Sequence, residues 1–180
     1  MLKIIVLGDE YFNEEDQTFI NVGDFELELE HSLISLSKWE SKHEKPFLST
    51  IDKTLEEIMD YIEAMILNPI YPENIVRVLS SDNLQAINDY IESKQSATTF
   101  GSIPERRGSG ETITSELIYY WMVAFQIPFE CERWHLNRLF ALVRVCNVKN
   151  APAKKMSSSE IAARNRELNA QRRAKLNTKG

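Results

Sequence analysis

Five side chains in this 180-residue chain are of types that ligate soft metals or serve as nucleophile and base: His31, His43, His135, Cys131 and Cys146. A metal centre needs three or four such groups converging on one point, and spacings such as CxxC, HxxxH or HExxH supply two of them by local geometry. None of those spacings occurs here. His135 follows Cys131 by four residues, but Pro128 and Glu130 just before them predict a turn there, so no Cys–His couple is set up. Cys146 lies among apolar residues, where a free cysteine behaves as a small buried hydrophobe. His135 beside Trp134 reads as a histidine at a core edge or an interface. Two cysteines in a chain of this length do not make a disulfide framework.

Other patterns carry no more chemistry. IIVLGDE ends like a nucleotide-binding strand but lacks GxGxxG, and no helix clearly follows. RRGSGET offers Gly108 and Gly110 as an anion nest, although a flexible loop is the simpler reading. Glu56-Glu57 reads as a solvated helix face. Tyr119, Tyr120, Trp121, Phe125, Phe129, Trp134 and Phe140 crowd into one segment. Base-stacking platforms interleave aromatics with cations, whereas cations enter here only from Arg133, so the band is expected to face inward as core. No acid, base, nucleophile and metal set can be assembled. The expectation is a non-enzyme with no cofactor and no metal.

The elements that would position these residues follow from periodicity. Leu2–Gly8 is β-branched and ends at glycine, Gln17–Gly23 is a weaker strand, and DFELELE alternates Phe25, Leu27 and Leu29 against Glu26, Glu28 and Glu30. Three short strands predict a small antiparallel sheet with one solvated face. Leu33, Leu36 and the Ile34/Trp39 pair then recur at helical spacing, ending before Pro46. A Thr54-x-x-Glu57 capping box opens a helix through Leu55, Ile58, Met59, Ile62 and Ile66, stopped by Asn68-Pro69. Ser80–Ser93 forms a shorter helix through Leu84, Ile87 and Ile91. Residues 94–111 lack any period and predict a long mobile loop. Thr114–Gln126 is apolar nearly all round and predicts a central buried helix. Past Pro128, residues 132–147 place Leu136, Leu139, Phe140 and Val143 on one face and Arg133, Asn137 and Arg144 on another. Ser157-x-x-Glu160 opens a last segment rich in helix formers, whose apolar positions Ile161, Leu168 and Leu176 are sparse.

The net charge of −6 hides a segregation. Residues 1–100 hold seven Lys/Arg against twenty Asp/Glu, a net −13, and residues 149–180 hold nine against two, a net +7. An acidic body thus carries a basic arm. Contacts between the arm and phosphates would be steeply salt-dependent, but the acidic body disfavours a polyanion and favours a protein partner, a sister subunit included. No apolar run approaches the ~18 residues of a membrane span, and the N-terminal run is too short for a signal peptide. The expected location is cytosolic.

EHSLISLSKWESKHEKPFL, ETITSELIYYWMVAFQIPFECERWHLNRLFALVRVCNVKN and RNRELNAQRRAKLNTKG, read together, resemble small morphogenesis proteins of tailed bacteriophages and prophages. Within that group the chain is most similar to the tail assembly chaperones encoded beside the tape measure protein. The resemblance spans roughly residues 29–180, and its most specific part is the Pro-Phe turn, Trp134 and the helix through Leu136, Leu139 and Phe140. It implies a non-catalytic protein of the host cytoplasm that coats the tape measure helix while tail tube subunits polymerise, then leaves.

The expected fold is α+β and mostly helical, with a small N-terminal antiparallel sheet and a basic, partly helical C-terminal arm. One domain covers 1–150, with the sheet in 1–30 and the helical core in 31–150, and the arm covers 151–180. The expected partner-binding residues are Arg164, Arg166, Arg172, Arg173, Lys175, Arg133 and Arg144. Expected partners are phage tail proteins, the tape measure first, together with self-association and no membrane. Two rivals stand beside the chaperone: a structural virion component, such as a head–tail connector or tail protein whose arm neighbours order, and a nucleic-acid-binding module acting through the arm.

Overall fold

The computed structural model describes residues 1–13, 17–99, 112–151 and 157–176, with 9–13 and 18–22 described by backbone alone. The chain forms two compact units, Met1–Asn147 and Val148–Gly180. The fold is α+β and mostly helical, with antiparallel strands at the N-terminus and, among the described residues, six α-helices.

Four strands replace the three expected: β1 (Leu2–Val6), β2 (Asp9–Asn13), β3 (Thr18–Val22) and β4 (Phe25–Leu29). β1 pairs with β4 and β2 with β3, both antiparallel, and in both ladders residue n faces residue 31 − n. The strands are therefore one long hairpin in a single register, interrupted where Leu7-Gly8 meets Gly23-Asp24. There the Gly8 N–H donates to Asp24 Oδ1 at 2.6 Å, a side chain standing in for the missing ladder bond. β2 escapes sequence reading because DEYFN sets two acids and two adjacent aromatics where alternation is sought.

The alternation of DFELELE is realised. Leu27 and Leu29 are wholly buried, and Ile4, which pairs with Leu27, and Val6, which pairs with Phe25, are buried with them. On the outer face the Lys3 ammonium meets Glu26 at 2.9 Å and Glu28 at 2.6 Å.

Helix α1 (Leu33–His43) starts at a capping box made of two serines. Ser32 Oγ accepts the Ser35 N–H, and Ser35 Oγ accepts the Ser32 N–H. It ends at Glu44 in the left-handed region, φ 53°. Helix α2 (Leu55–Ala64) begins with the Thr54/Glu57 box as expected. It stops four residues before Asn68, because Met65–Leu67 turns to lie along β4: Glu30 N–H donates to Met65 O and Leu67 N–H to Glu28 O. Asn68 completes this edge, its Oδ1 accepting the Glu28 N–H at 2.8 Å. A 3₁₀ turn (Ile75–Val78) leads to α3 (Ser81–Glu92), capped by Ser80.

A first core cluster joins Ile4, Val6, Leu27, Leu29, Trp39, Tyr61, Ile62, Met65, Ile66, Ile75, Val76 and Ile87. Helix α4 (Ser115–Ala124), the 3₁₀ turn Phe129–Arg133 and α5 (Leu136–Asn150) form a second with α1, around Leu33, Leu36, Ile118, Met122, Ile127, Cys131, Leu136 and Leu139. α4 is not the central buried helix its composition suggests. Only Ser115, Ile118 and Met122 are buried along it, while Tyr120 is 65% and Val123 61% exposed. Of the seven aromatics of the band, Tyr119, Trp121, Phe125, Trp134 and Phe140 pack half-buried against the second cluster, as an inward-facing band would. Tyr120 and Phe129 are exposed, which corrects the expectation for those two. Polar handles hold two of the packed rings: the Tyr119 hydroxyl donates to Glu132 at 3.0 Å, and the Arg138 guanidinium lies 4.1 Å from the Trp134 ring.

Helix α6 (Ser158–Leu176) is capped as expected, Ser157 N–H donating to Glu160 and Glu160 N–H to Ser157 Oγ, and it buries no residue. Residues 94–99 have no regular structure. The rest of the expected mobile loop, including the Gly108/Gly110 nest, lies outside the described residues, as do 152–156 and 177–180 of the arm.

Candidate functional site

The side chains with chemical potential are brought together only in part. β4 runs through His31-Ser32 into α1, and the turn before α5 runs through Trp134-His135; Ser32 and His135 form a bridge, and Leu136 N–H donates to His31 O at 2.7 Å. The two imidazoles meet edge-on at 5.0 Å between centroids. Both are buried, His31 to 3% and His135 to 5% exposure. The Asn137 N–H donates to His135 Nδ1, so the proton sits on Nε2, which donates to Tyr90 O at 3.0 Å. His31 Nδ1 shares a hydrogen bond of 2.6 Å with the Tyr61 hydroxyl. Burial, and then the neighbouring His135, pull the His31 pKa down to about 4. Burial also lowers that of His135. Tyr90 donates to Glu30 at 2.6 Å, and burial followed by that carboxylate raises its pKa. This is a hydrogen-bonded network of structural groups, whose carboxylate, Glu30, is paired with the N-terminal ammonium at 2.7 Å.

The remaining candidates lie apart. His43 stacks on Trp39, its Nε2 2.9 Å from Asp60. Cys131 is buried in the second cluster, its thiol pKa raised by burial and then by Glu130, and Cys146 is half-buried on α5. Among the described residues no group of three or more His, Cys, Asp or Glu is placed to hold a metal ion. Glu57, expected on a solvated face, is buried: it caps α2 and takes the Lys45 ammonium, and these contacts, Lys45 foremost, lower its pKa.

What the first unit presents instead is a groove. The apolar stripe of α2 is wider than the core beneath it: Ile62 is buried, but Leu55 is 70% and Ile58 42% exposed. With Leu84, Ile87 and Ile91 of α3 and the ring of Phe47 they line a cavity of about 410 Å³ between the two helices. Lys53 supplies its one charge. The ammonium donates to Thr50 O and lies 4.3 Å from the Phe47 ring, and burial lowers its pKa. Acids flank the lining in sequence, Glu56 after Leu55, Asp89 after Asn88 and Glu92 after Ile91, all exposed. The sequence carried a signal for this site: four stripe positions, Leu55, Ile58, Met59 and Ile62, on a helix of ten residues are more than one core contact can cover.

The expected partner-binding cations are all exposed, Arg133 and Arg144 in the first unit and Arg164, Arg166, Arg172, Arg173 and Lys175 along α6. Arg166 Nε donates to Ala162 O within its own helix. Among the described residues no helix is long and apolar enough to cross a membrane. Comparison with known proteins gives no match: no family model, no curated protein and no solved structure aligns with the chain.

Proposed function

We propose that the protein is a non-enzymatic tail assembly chaperone of a tailed bacteriophage, which holds apolar helical stretches of the tape measure protein in the host cytoplasm during tail morphogenesis. The observation that carries this reading is the α2–α3 groove, an apolar trough with acids beside it on a strongly acidic body. A client helix lays side chains spaced i, i+3, i+4 and i+7 into such a trough, while the surrounding charge keeps the complex soluble. The resemblance of residues 29–180 to these chaperones supplies the client's identity.

Co-expression with helical segments of the tape measure tests the reading. The segments are expected in the soluble fraction bound to the wild type, with binding at least ~10-fold weaker for Ile58→Asp, which puts a charge into the trough without entering the core. Equal capture by both proteins would overturn the groove as the client site.

A second reading, a structural virion component with an arm ordered by neighbours, is favoured by α6, which buries nothing along its length. Stoichiometric recovery of the chain from purified virions would select it. The nucleic-acid reading of Arg164, Arg166, Arg172 and Arg173 is decided by titrating DNA binding against salt, where a flat or undetectable response eliminates it.

A further inference from the structure

The trough and the arm have complementary properties, and this inference rests on the groove reading above. We propose that α6 of a second copy docks in the α2–α3 groove, so that the protein self-associates head to tail through its own arm. On a helical wheel of 100° per residue, Ile161, Leu168 and Leu176 fall within about 80° of one another. Arg164, Arg172 and Lys175 fall within about 60° of Ile161 on the same wheel. One face of α6 therefore offers three aliphatic side chains set among three cations.

The body offers the converse. Residues 52–92, which contain the trough, hold nine Asp/Glu against two Lys/Arg, a net −7, while Ser158–Leu176 holds five cations against two acids, a net +3. The one lysine in the trough opposes this match least, because its ammonium is turned onto the Thr50 carbonyl and the Phe47 face. The arm also needs a partner. Nineteen residues with no buried side chain make a helix of only marginal stability in water, and docking on an oppositely charged, apolar surface supplies what is missing. Because groove and arm are different surfaces, the contact is heterologous: it grows into a ring or an open chain, and an apolar client helix competes for the same trough.

Complementation between two full-length variants tests this. Leu168→Asp spoils the arm and keeps the groove; Ile58→Asp spoils the groove and keeps the arm. Sedimentation of the wild type is expected to show concentration-dependent oligomers at about 100 µM or below, weakened roughly 10-fold between about 0.05 and 0.5 M salt. Each variant alone should be monomeric, with unchanged circular dichroism and melting temperature, and their mixture should give a 1:1 heterodimer and nothing larger. A monomeric wild type at that concentration, or a mixture that stays monomeric, overturns the proposal. Tape measure capture by Leu168→Asp reads the groove separately. Capture without self-association sinks only the arm docking, and loss of both sinks the groove with it.

Discussion

The cluster around Trp39 and the cluster around Leu136 differ in how completely they close. The first joins strands β1 and β4, the three helices α1, α2 and α3 and a 3₁₀ turn, and twelve of its side chains are buried. The second is drawn from the greasiest part of the sequence yet buries only eight. Its aromatics sit around it half covered, and the outer face of α4 shows Tyr120 and Val123 to solvent. Apolar density is thus a poor guide to burial along α4, where the buried set nevertheless keeps a helical period. The buried stripe of α4 is Ser115, Ile118 and Met122, a helical i, i+3, i+7 set that includes a serine and omits every aromatic on the helix.

The largest expected effect probes the closed cluster. Trp39 is 1% exposed and donates its indole N–H to Glu57 O at 2.7 Å. Trp39→Ala should cost about 4–5 kcal/mol in urea unfolding, from the lost indole and the orphaned carbonyl. A loss below about 2 kcal/mol would mean the first cluster is no better closed than the second.

Next comes the joint between the two clusters. The buried Glu40 carboxylate accepts the Phe47 N–H at 2.9 Å and the Ser115 N–H, first residue of α4, at 2.6 Å. Glu40→Ala strands both donors and should cost about 3 kcal/mol, with Glu40→Gln recovering part of it. Equal losses for the two variants would show that the carboxylate does not span the joint.

The histidine pair gives a pH signature. His31 is held near a pKa of about 4 in the folded chain against about 6.5 unfolded. The unfolded chain therefore binds more protons across that interval. The contribution is full above about pH 6.5, declines as pH falls, and is gone below about pH 4, for a total near 3 kcal/mol. Urea midpoints at pH 7 and 4.5 should diverge for the wild type and converge for His31→Gln. An unchanged divergence would assign the acid sensitivity elsewhere.

The smallest effect is expected where composition predicted the greatest. Tyr120→Ser and Val123→Ser should each shift stability by no more than about 0.5 kcal/mol, since both side chains are largely in water. A loss above about 2 kcal/mol would restore α4 to the interior.

Legibility in the sequence follows the same division. The α+β class, the alternation in β4, the Thr54 and Ser157 caps and the helix through Ile87 were readable because each is a local pattern with a local cause. β2, the early end of α2 and the burial of His31 and His135 depend on partners far along the chain, and no window around those residues reports them. The groove lies between these cases. Its α2 wall is visible as surplus apolar stripe, but the α3 wall opposite requires the fold.

Phe47 has a consequence for how the trough behaves when filled. Its ring stacks on Tyr61 at 3.8 Å, meets Trp39 edge-on at 5.0 Å, and touches both clusters while walling the groove. Its backbone N–H hangs on the same carboxylate that anchors the start of α4. A visitor that tilts this ring must therefore disturb contacts in both clusters at once.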